Sequence, residues 1–195
     1  QWELDADDDI VVDGDHYTIK RYRPRIEGLF ARIEHIAKHG VNGTWWKVTT
    51  KDNTVTFYGL TAEARLSDPE DETRIFKWLP QVSYDNKGNV TQYFYFVEDL
   101  TGVSLHAHES NRINGLAPFT NVYLKRVKYC IRMPYLVDAD HTYDISSVLP
   151  DPDNFLMECV LDYGDHHATM PTPDPDSALI LPARMDPFSD FHAGF

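Results

Sequence analysis

Only two cysteines, Cys130 and Cys159, occur among the 195 residues of this chain. They form no CxxC or other metal spacing, which excludes a cysteine-built zinc site. Each sits in an apolar, strand-like run, so buried free thiols are expected rather than a disulfide. Basic residues are scarce as well. Lys and Arg number 18 against 31 Asp and Glu, a formal net charge of −13. Neutralising phosphates needs the opposite balance, so nucleic acid is excluded as a partner. The short basic runs Lys20-Arg21-Tyr22-Arg23-Pro24-Arg25 and Lys125-Arg126-Val127-Lys128 alternate with apolar residues, as the solvent faces of strands do. No window approaches the ~18 consecutive apolar residues of a membrane helix, which argues against direct membrane insertion. Gln1 to Asp9 are acidic and lack the regions of a signal peptide, so the export route is not legible there.

Sequence patterns for catalysis are missing too. There is no G-x-S-x-G, no P-loop and no G-x-G-x-x-G, and neither cysteine has a local base. The run Asp5-Ala6-Asp7-Asp8-Asp9 fails as a calcium loop, because Ile10 stands where the loop needs glycine and His16 where it needs glutamate. A solvated acidic turn is expected instead. His106-Ala107-His108-Glu109 and Asp165-His166-His167 offer metal-ligating side chains without an identifiable third ligand, and read as loop histidines. Glu70-Asp71-Glu72 contains a Glu-x-Glu, as in ADP-ribosyltransferases, but their partner strand and serine motif are absent, so a surface loop is expected. We therefore expect no catalytic residues, no metal and no cofactor.

What the chain does have is aromatics, at 13% of residues, in short runs separated by turn residues. That pattern indicates strands. Tyr17 to Arg23 alternates. In the next run Leu29, Ala31 and Ile33 fall on one face with Arg32 and Glu34 opposite, although Leu29, Ile33 and Ile36 also fit a short helix. Trp45–Thr50 and Thr54–Tyr58 flank Lys51-Asp52-Asn53 as a tight hairpin. Ser67 to Glu72 is a proline-containing loop able to open one helical turn, followed by a strand from Arg74 to Tyr84 with Pro80 at an edge or bulge. Asn89 to Val97 is the strongest strand: Val90, Phe94 and Phe96 face one way, Tyr93, Tyr95 and Val97 the other. Asp99 to Pro118 reads as a long loop. Val122–Ile131 and Phe155–Tyr163 are further strands joined by an Asp- and Pro-rich excursion, and Thr169 to Asp176 is extended and polyproline-like. The expected fold is all-β, antiparallel hairpins forming a curved sheet with little or no helix. It is one domain over residues 1–195, with an acidic segment 1–16 and a Pro/Asp-rich segment 169–187.

Between two aromatic strands, Trp78–Tyr84 and Asn89–Phe96, lies Asp85-Asn86-Lys87-Gly88-Asn89. Asp85 can cap the turn amides and Gly88 supplies a positive φ. This hairpin, with Tyr84, Asp85, Gly88, Asn89, Tyr93 and Tyr95 as its structural residues, resembles the tyrosine–aspartate repeat of Rhs/YD proteins. The blocks Tyr22 to Ile33, Trp46 to Asn53, Tyr58 to Arg65, Ile75 to Leu79, Tyr123 to Tyr129, Leu161 to His166 and Arg184 to Phe195 follow in order. Together they resemble the SpvB-type N-terminal domain of the B subunit of insecticidal toxin complexes.

The resemblance implies a non-enzymatic structural segment of a secreted toxin. Such a segment is part of a hollow β shell that holds a toxic polypeptide before delivery. The implied partners are the remainder of that shell (its propeller and Rhs-repeat regions and the C-type subunit) and, indirectly, a pore-forming A-type subunit. Unpaired or apolar edges are expected, especially around Asn89 to Val97. A carbohydrate-binding β module using Trp2, Trp45 or Trp46 as stacking platforms is the alternative. Adjacent strand residues point to opposite faces, so at most one of Trp45 and Trp46 should be exposed. An enzyme would instead need a convergent polar pocket.

Overall fold

The computed structural model describes residues 2–26, 28, 30–98, 121–137, 143–169, 172–176 and 179, with side chains from Asp7 onward. Eleven strands account for most of them: β1 (Trp2–Val12), β2 (Asp15–Pro24), β3 (Arg32–Lys38), β4 (Thr44–Thr49), β5 (Val55–Tyr58), β6 (Arg65–Asp68), β7 (Asp71–Trp78), β8 (Pro80–Tyr84), β9 (Val90–Val97), β10 (Val122–Ile131) and β11 (Phe155–Val160). Among the described residues, helix is confined to the single turn α1 (Ile145–Val148) and short 3₁₀ segments at Ala62–Ala64 and Pro152–Asn154. No helix among the described residues is long and apolar enough to cross a membrane.

Nine strands form one antiparallel sheet in the order β1-β2-β3-β4-β5-β8-β9-β10-β11. Neighbours in sequence pair throughout, except where the β6–β7 hairpin leaves the sheet between β5 and β8. The run around Ile33, open to helix or strand by pattern, is a strand paired with both β2 and β4.

Register assigns each strand's alternate residues to a common face. On one face Tyr17, Ile19, Ile36, Trp45, Phe57, Val55, Val82 and Val90 are all buried, and Tyr84 packs beside them. The chain between β10 and β11 crosses this face, laying Tyr135, Val137, Tyr143, Ile145, Val148 and Leu149 against it. The core therefore lies between the sheet and this crossing segment. Asp144 caps α1 by accepting from the Ser147 amide at 3.0 Å, and the Tyr135 hydroxyl donates to the Val148 carbonyl.

Several expectations are corrected. The acidic start is no solvated turn: β1 pairs with β2 from Trp2↔Pro24 to Val12↔Asp15. Ser67 to Glu72 forms no helical turn, because Pro69 and Glu70 make the tight turn between β6 and β7. The expected strand from Arg74 to Tyr84 breaks at Leu79 into β7 and β8, which belong to different sheets. Pro80 then starts β8, where the register against β5 shifts. Nor is Asn89 to Val97 an edge: β9 lies between β8 and β10. The outer strands are β1 and β11. Cys130 and Cys159 are free but exposed rather than buried. Asp99 to Pro118, with His106, His108 and Glu109, lies outside the described residues, as does part of Thr169 to Asp176.

Candidate functional site

The β8–β9 hairpin carries the sequence's most distinctive turn. Asp85 Oδ1 accepts from the amides of Lys87 at 2.9 Å and Asn89 at 3.0 Å, and Oδ2 accepts from Asn89 Nδ2 at 2.8 Å. These bonds, the Asn89 side chain foremost, hold the Asp85 carboxyl below its ordinary range. Gly88 has φ +85° and is buried, and a Cβ there would meet Pro134 Cβ at 2.9 Å. Its carbonyl accepts from the Tyr135 amide at 3.0 Å. The turn is thus a docking point for the crossing segment as well as a reversal. Beside it, the Tyr84 ring meets Tyr135 at 5.3 Å, and the Tyr95 hydroxyl donates to Pro80 O at 2.6 Å. Burial, then the neighbouring Tyr93, raises the Tyr95 phenol to about 12.

A second group of residues sits under the crossing segment. Glu34, on the face opposite Ile33, is 1% exposed. Arg21 Nε lies 3.3 Å from its Oε1, and Arg32 Nε and Lys47 Nζ lie 3.6 and 3.7 Å from its Oε2. The Tyr143 hydroxyl donates to Oε1 at 3.5 Å, and Lys47 Nζ sits 4.8 Å from the Tyr143 ring centre. Burial depresses the Lys47 ammonium, opposed by Glu34. Glu34 and Lys47 are enclosed, while Arg21 and Arg32 reach Glu34 from more open positions. The arrangement holds four elements together.

On the opposite face, Tyr22, His35, Trp46 and Trp78 form a continuous ring cluster, with Trp46 4.5 Å from His35, 5.5 Å from Tyr22 and 5.9 Å from Trp78. Trp78 Nε1 donates to Thr44 O at 2.7 Å, tying β7 to this face. Trp45 is fully buried on the other face. The two adjacent tryptophans therefore share no surface, and Trp46 spends its ring on protein neighbours.

Of the metal candidates, Asp165 and His166 are engaged by Lys125, whose Nζ lies 2.6 Å from Asp165 Oδ2 and 2.9 Å from His166 Nε2. Among the described residues no group of three or more His, Cys, Asp or Glu side chains is placed to hold a metal. Glu70 belongs to the β6–β7 turn, where Asp68 Oδ1 accepts from its amide at 2.9 Å, and Asp71 opens β7. Two open grooves lie among the described residues. One, of about 170 Å³, lies beside Arg65, Asp68, Glu72 and Val97. The other, of about 320 Å³, runs along β11 beside Arg126, Lys128, Leu156, Met157 and Asp174. Neither is the enclosed, mostly apolar cavity that small ligands occupy.

The basic runs are also not simple solvent faces. Arg21 reaches Asp8 and Glu34, Lys125 is nearly enclosed, and Arg126 Nη1 pairs with Glu158 Oε2 at 2.9 Å. These charges were missed because each finds its partner on a different strand, which alternation along one strand does not reveal.

Comparison with known proteins adds identity. The family model described as Salmonella virulence plasmid 65kDa B protein matches residues 2–195. Mono(ADP-ribosyl)transferase SpvB of Salmonella typhimurium (strain 14028s / SGSC 2262) is 31% identical over 180 residues. That match covers 92% of this chain and 29% of the relative, so the chain spans less than a third of that protein. Among solved structures, TcdB2-TccC3-TEV superposes with a TM-score of 0.79 at 26% identity, covering all of this chain and 9% of the other. The N-terminal domain of effector protein SpvB from Salmonella typhimurium strain LT2 gives a TM-score of 0.63 at 24% identity. That match covers 92% of this chain and 52% of the other, and it speaks to fold alone.

Proposed function

Since the chain belongs to the SpvB family (Salmonella virulence plasmid 65kDa B protein), we propose that it is a structural segment of a secreted toxin-complex B-type subunit. In this reading residues 1–195 are one partial domain that contributes wall to a β shell enclosing a toxic polypeptide before delivery. Its partners are the remainder of that shell, including propeller and Rhs-repeat regions and a C-type subunit, with the pore-forming A-type subunit contacted indirectly. The transferase activity named for the Salmonella relative is assigned to sequence outside this segment. The Tyr84–Tyr95 hairpin serves as a structural clamp between sheet and crossing segment.

One observation carries the reading: full-length likeness to a small part of a toxin-complex chain, joined to an open sheet. Among the described residues β1 pairs only with β2, and β11 only with β10. On β11, Leu156 and Met157 are each 55% exposed. A long unpaired outer strand with apolar side chains is a template for further pairing.

Hydrogen exchange tests this. Those amides of residues 155–160 that point away from β10 should exchange rapidly in the 195-residue chain and at least ~10-fold more slowly in the full-length parent protein, where a further strand would pair with them. Equal rates in the two would refute the wall role.

A further inference from the structure

The most exposed large apolar residues among those described are Ile26 at 87%, Leu136 at 76%, Phe30 at 70% and Met133 at 69%. Ile26 and Phe30 belong to the connection between β2 and β3, Met133 and Leu136 to the crossing segment that follows β10. Register brings these two places, far apart in sequence, to one end of the sheet. The pairs Tyr22↔Ile33, Arg32↔Thr49, Thr49↔Val55, Val55↔Tyr84, Tyr84↔Val90 and Gln92↔Lys128 lead strand by strand from the end of β2 to the end of β10.

Local structure fixes these residues where they stand. Tyr135 and Val137 both pack on the core, and the Tyr135 amide donates to Gly88 O at 3.0 Å, so Leu136 between them is the residue left outside. The Met133 amide donates to Asn154 Oδ1 and its carbonyl accepts from Asn154 Nδ2, both at 3.0 Å. Phe30 has φ +49°, the left-handed region that is costly for a bulky non-glycine residue. Burial does not offset that strain, since Phe30 stays largely exposed. Strain held at an exposed aromatic points to a contact made outside the segment.

We propose that this end of the sheet, with Ile26, Phe30, Met133 and Leu136, is a docking surface for an apolar segment of the parent protein outside residues 1–195. It is separate from the β11 edge and works by side-chain packing, not by strand pairing. The proposal rests on the reading of the chain as a segment of a larger toxin subunit. The matched part is 29% of the Salmonella relative and 9% of the TcdB2-TccC3-TEV chain, so most of each lies elsewhere. The size of the patch favours a tethered occupant. At roughly 150 Å² for a large apolar side chain, four residues at these exposures present about 450 Å². A free-standing dimer needs about 800 Å² from each partner. A segment covalently joined to the surface needs less, because the tether supplies a high effective concentration.

Methionine oxidation by peroxide in the full-length parent protein tests this without a substitution. Met133 should form its sulfoxide at least ~10-fold more slowly in the native parent than in the parent unfolded in guanidinium. Oxidation at the unfolded rate overturns the proposal. The occupant is identified by replacing Phe30 in the parent with its photoreactive analogue benzoylphenylalanine. On irradiation it should crosslink to residues outside 1–195 of the same molecule. Crosslinks confined to residues 1–195, crosslinks joining two molecules, or none at all overturn the proposal. The wall role is read separately, from the β11 amides. Equal β11 exchange in chain and parent with Met133 protected would remove the wall and leave the docking surface. Slowed β11 exchange with Met133 unprotected would do the reverse.

Discussion

Gly43 gives the most direct test of how the fold is locked. Its φ is +86°, and a Cβ built there would lie 1.9 Å from Arg65 Nη1 and 2.9 Å from Arg65 Cζ. Arg65 cannot easily move away. It is 8% exposed, and it donates from Nε to Gly59 O at 2.7 Å and from Nη2 to Leu60 O at 3.0 Å. Burial pulls the guanidinium below its ordinary range, partly offset by Glu72 and Glu63, so further loss of partners is costly. Gly43→Ala therefore adds two penalties. Left-handed backbone in a non-glycine residue costs about 1–2 kcal/mol. Displacing a buried guanidinium from its carbonyls costs about 1.5–3 kcal/mol for each charge-assisted bond lost. If one bond survives, the total is roughly 3–5 kcal/mol, a large part of the 5–15 kcal/mol typical of a domain. Gly40 is the internal control, with φ +78° and nothing within 4 Å of the same ideal Cβ. Gly40→Ala should show the backbone term alone. Urea unfolding of both variants, with equal m-values, measures the difference directly. If the two variants are equally destabilised, the Arg65 contact is not the lock described here.

Removing Glu34 by Glu34→Ala should destabilise the chain by about 3–5 kcal/mol, because Lys47 then keeps a buried charge without its carboxylate. Adding Lys47→Met should recover part of that loss in a double-mutant cycle, and strict additivity would contradict the coupling. His35 is held below its ordinary range by burial and then by Lys20. The unfolded chain therefore takes the proton first, and stability should fall as pH drops through about 6.5, the ordinary histidine value. His35→Gln keeps a partner for Thr44 Oγ1, 2.9 Å from Nε2, and should flatten that slope between pH 7.5 and 5.5. An unchanged slope would show that His35 is not its source.

The parts of the fold legible in the sequence are those whose partners lie nearby in the chain. β2, β4, β5 and β10 follow from alternation and turn residues, because each is one arm of a local hairpin or carries its own apolar stripe. Glu34 was not legible. A charged residue on an alternating strand reads as solvent-facing, and it is buried here by Arg21 and Lys47 from adjacent strands and by Tyr143 from the distant crossing segment. The hairpin turn was legible in its chemistry, since Asp85 and Gly88 are local. The second demand on Gly88, contact with Pro134 and Tyr135, comes from the tertiary structure. Cys130 stands exposed in β10 with φ +57°, a left-handed backbone that strand alternation does not anticipate.

The two outer strands carry opposite chemistries, and that contrast bears on the proposed wall role. β1 was unreadable as a strand because charge masks its pattern, yet charge is what keeps an outer strand from pairing indiscriminately. Asp7 and Asp9 are exposed on it, and Asp8 is tied inward to Arg21. β11 has no such guard: Leu156, Met157 and Cys159 stand exposed, and Glu158 is neutralised by Arg126. A free-standing ligand-binding module has reason to blunt both edges. A segment of continuous wall has reason to blunt one and leave the other able to accept the next strand. On the shell reading, growth of the sheet proceeds from β11, and a charge placed there, as in Met157→Lys, should impair assembly of the parent protein while leaving the 195-residue chain folded. Loss of folding in the isolated chain, or normal assembly of the variant parent, would count against that direction of growth.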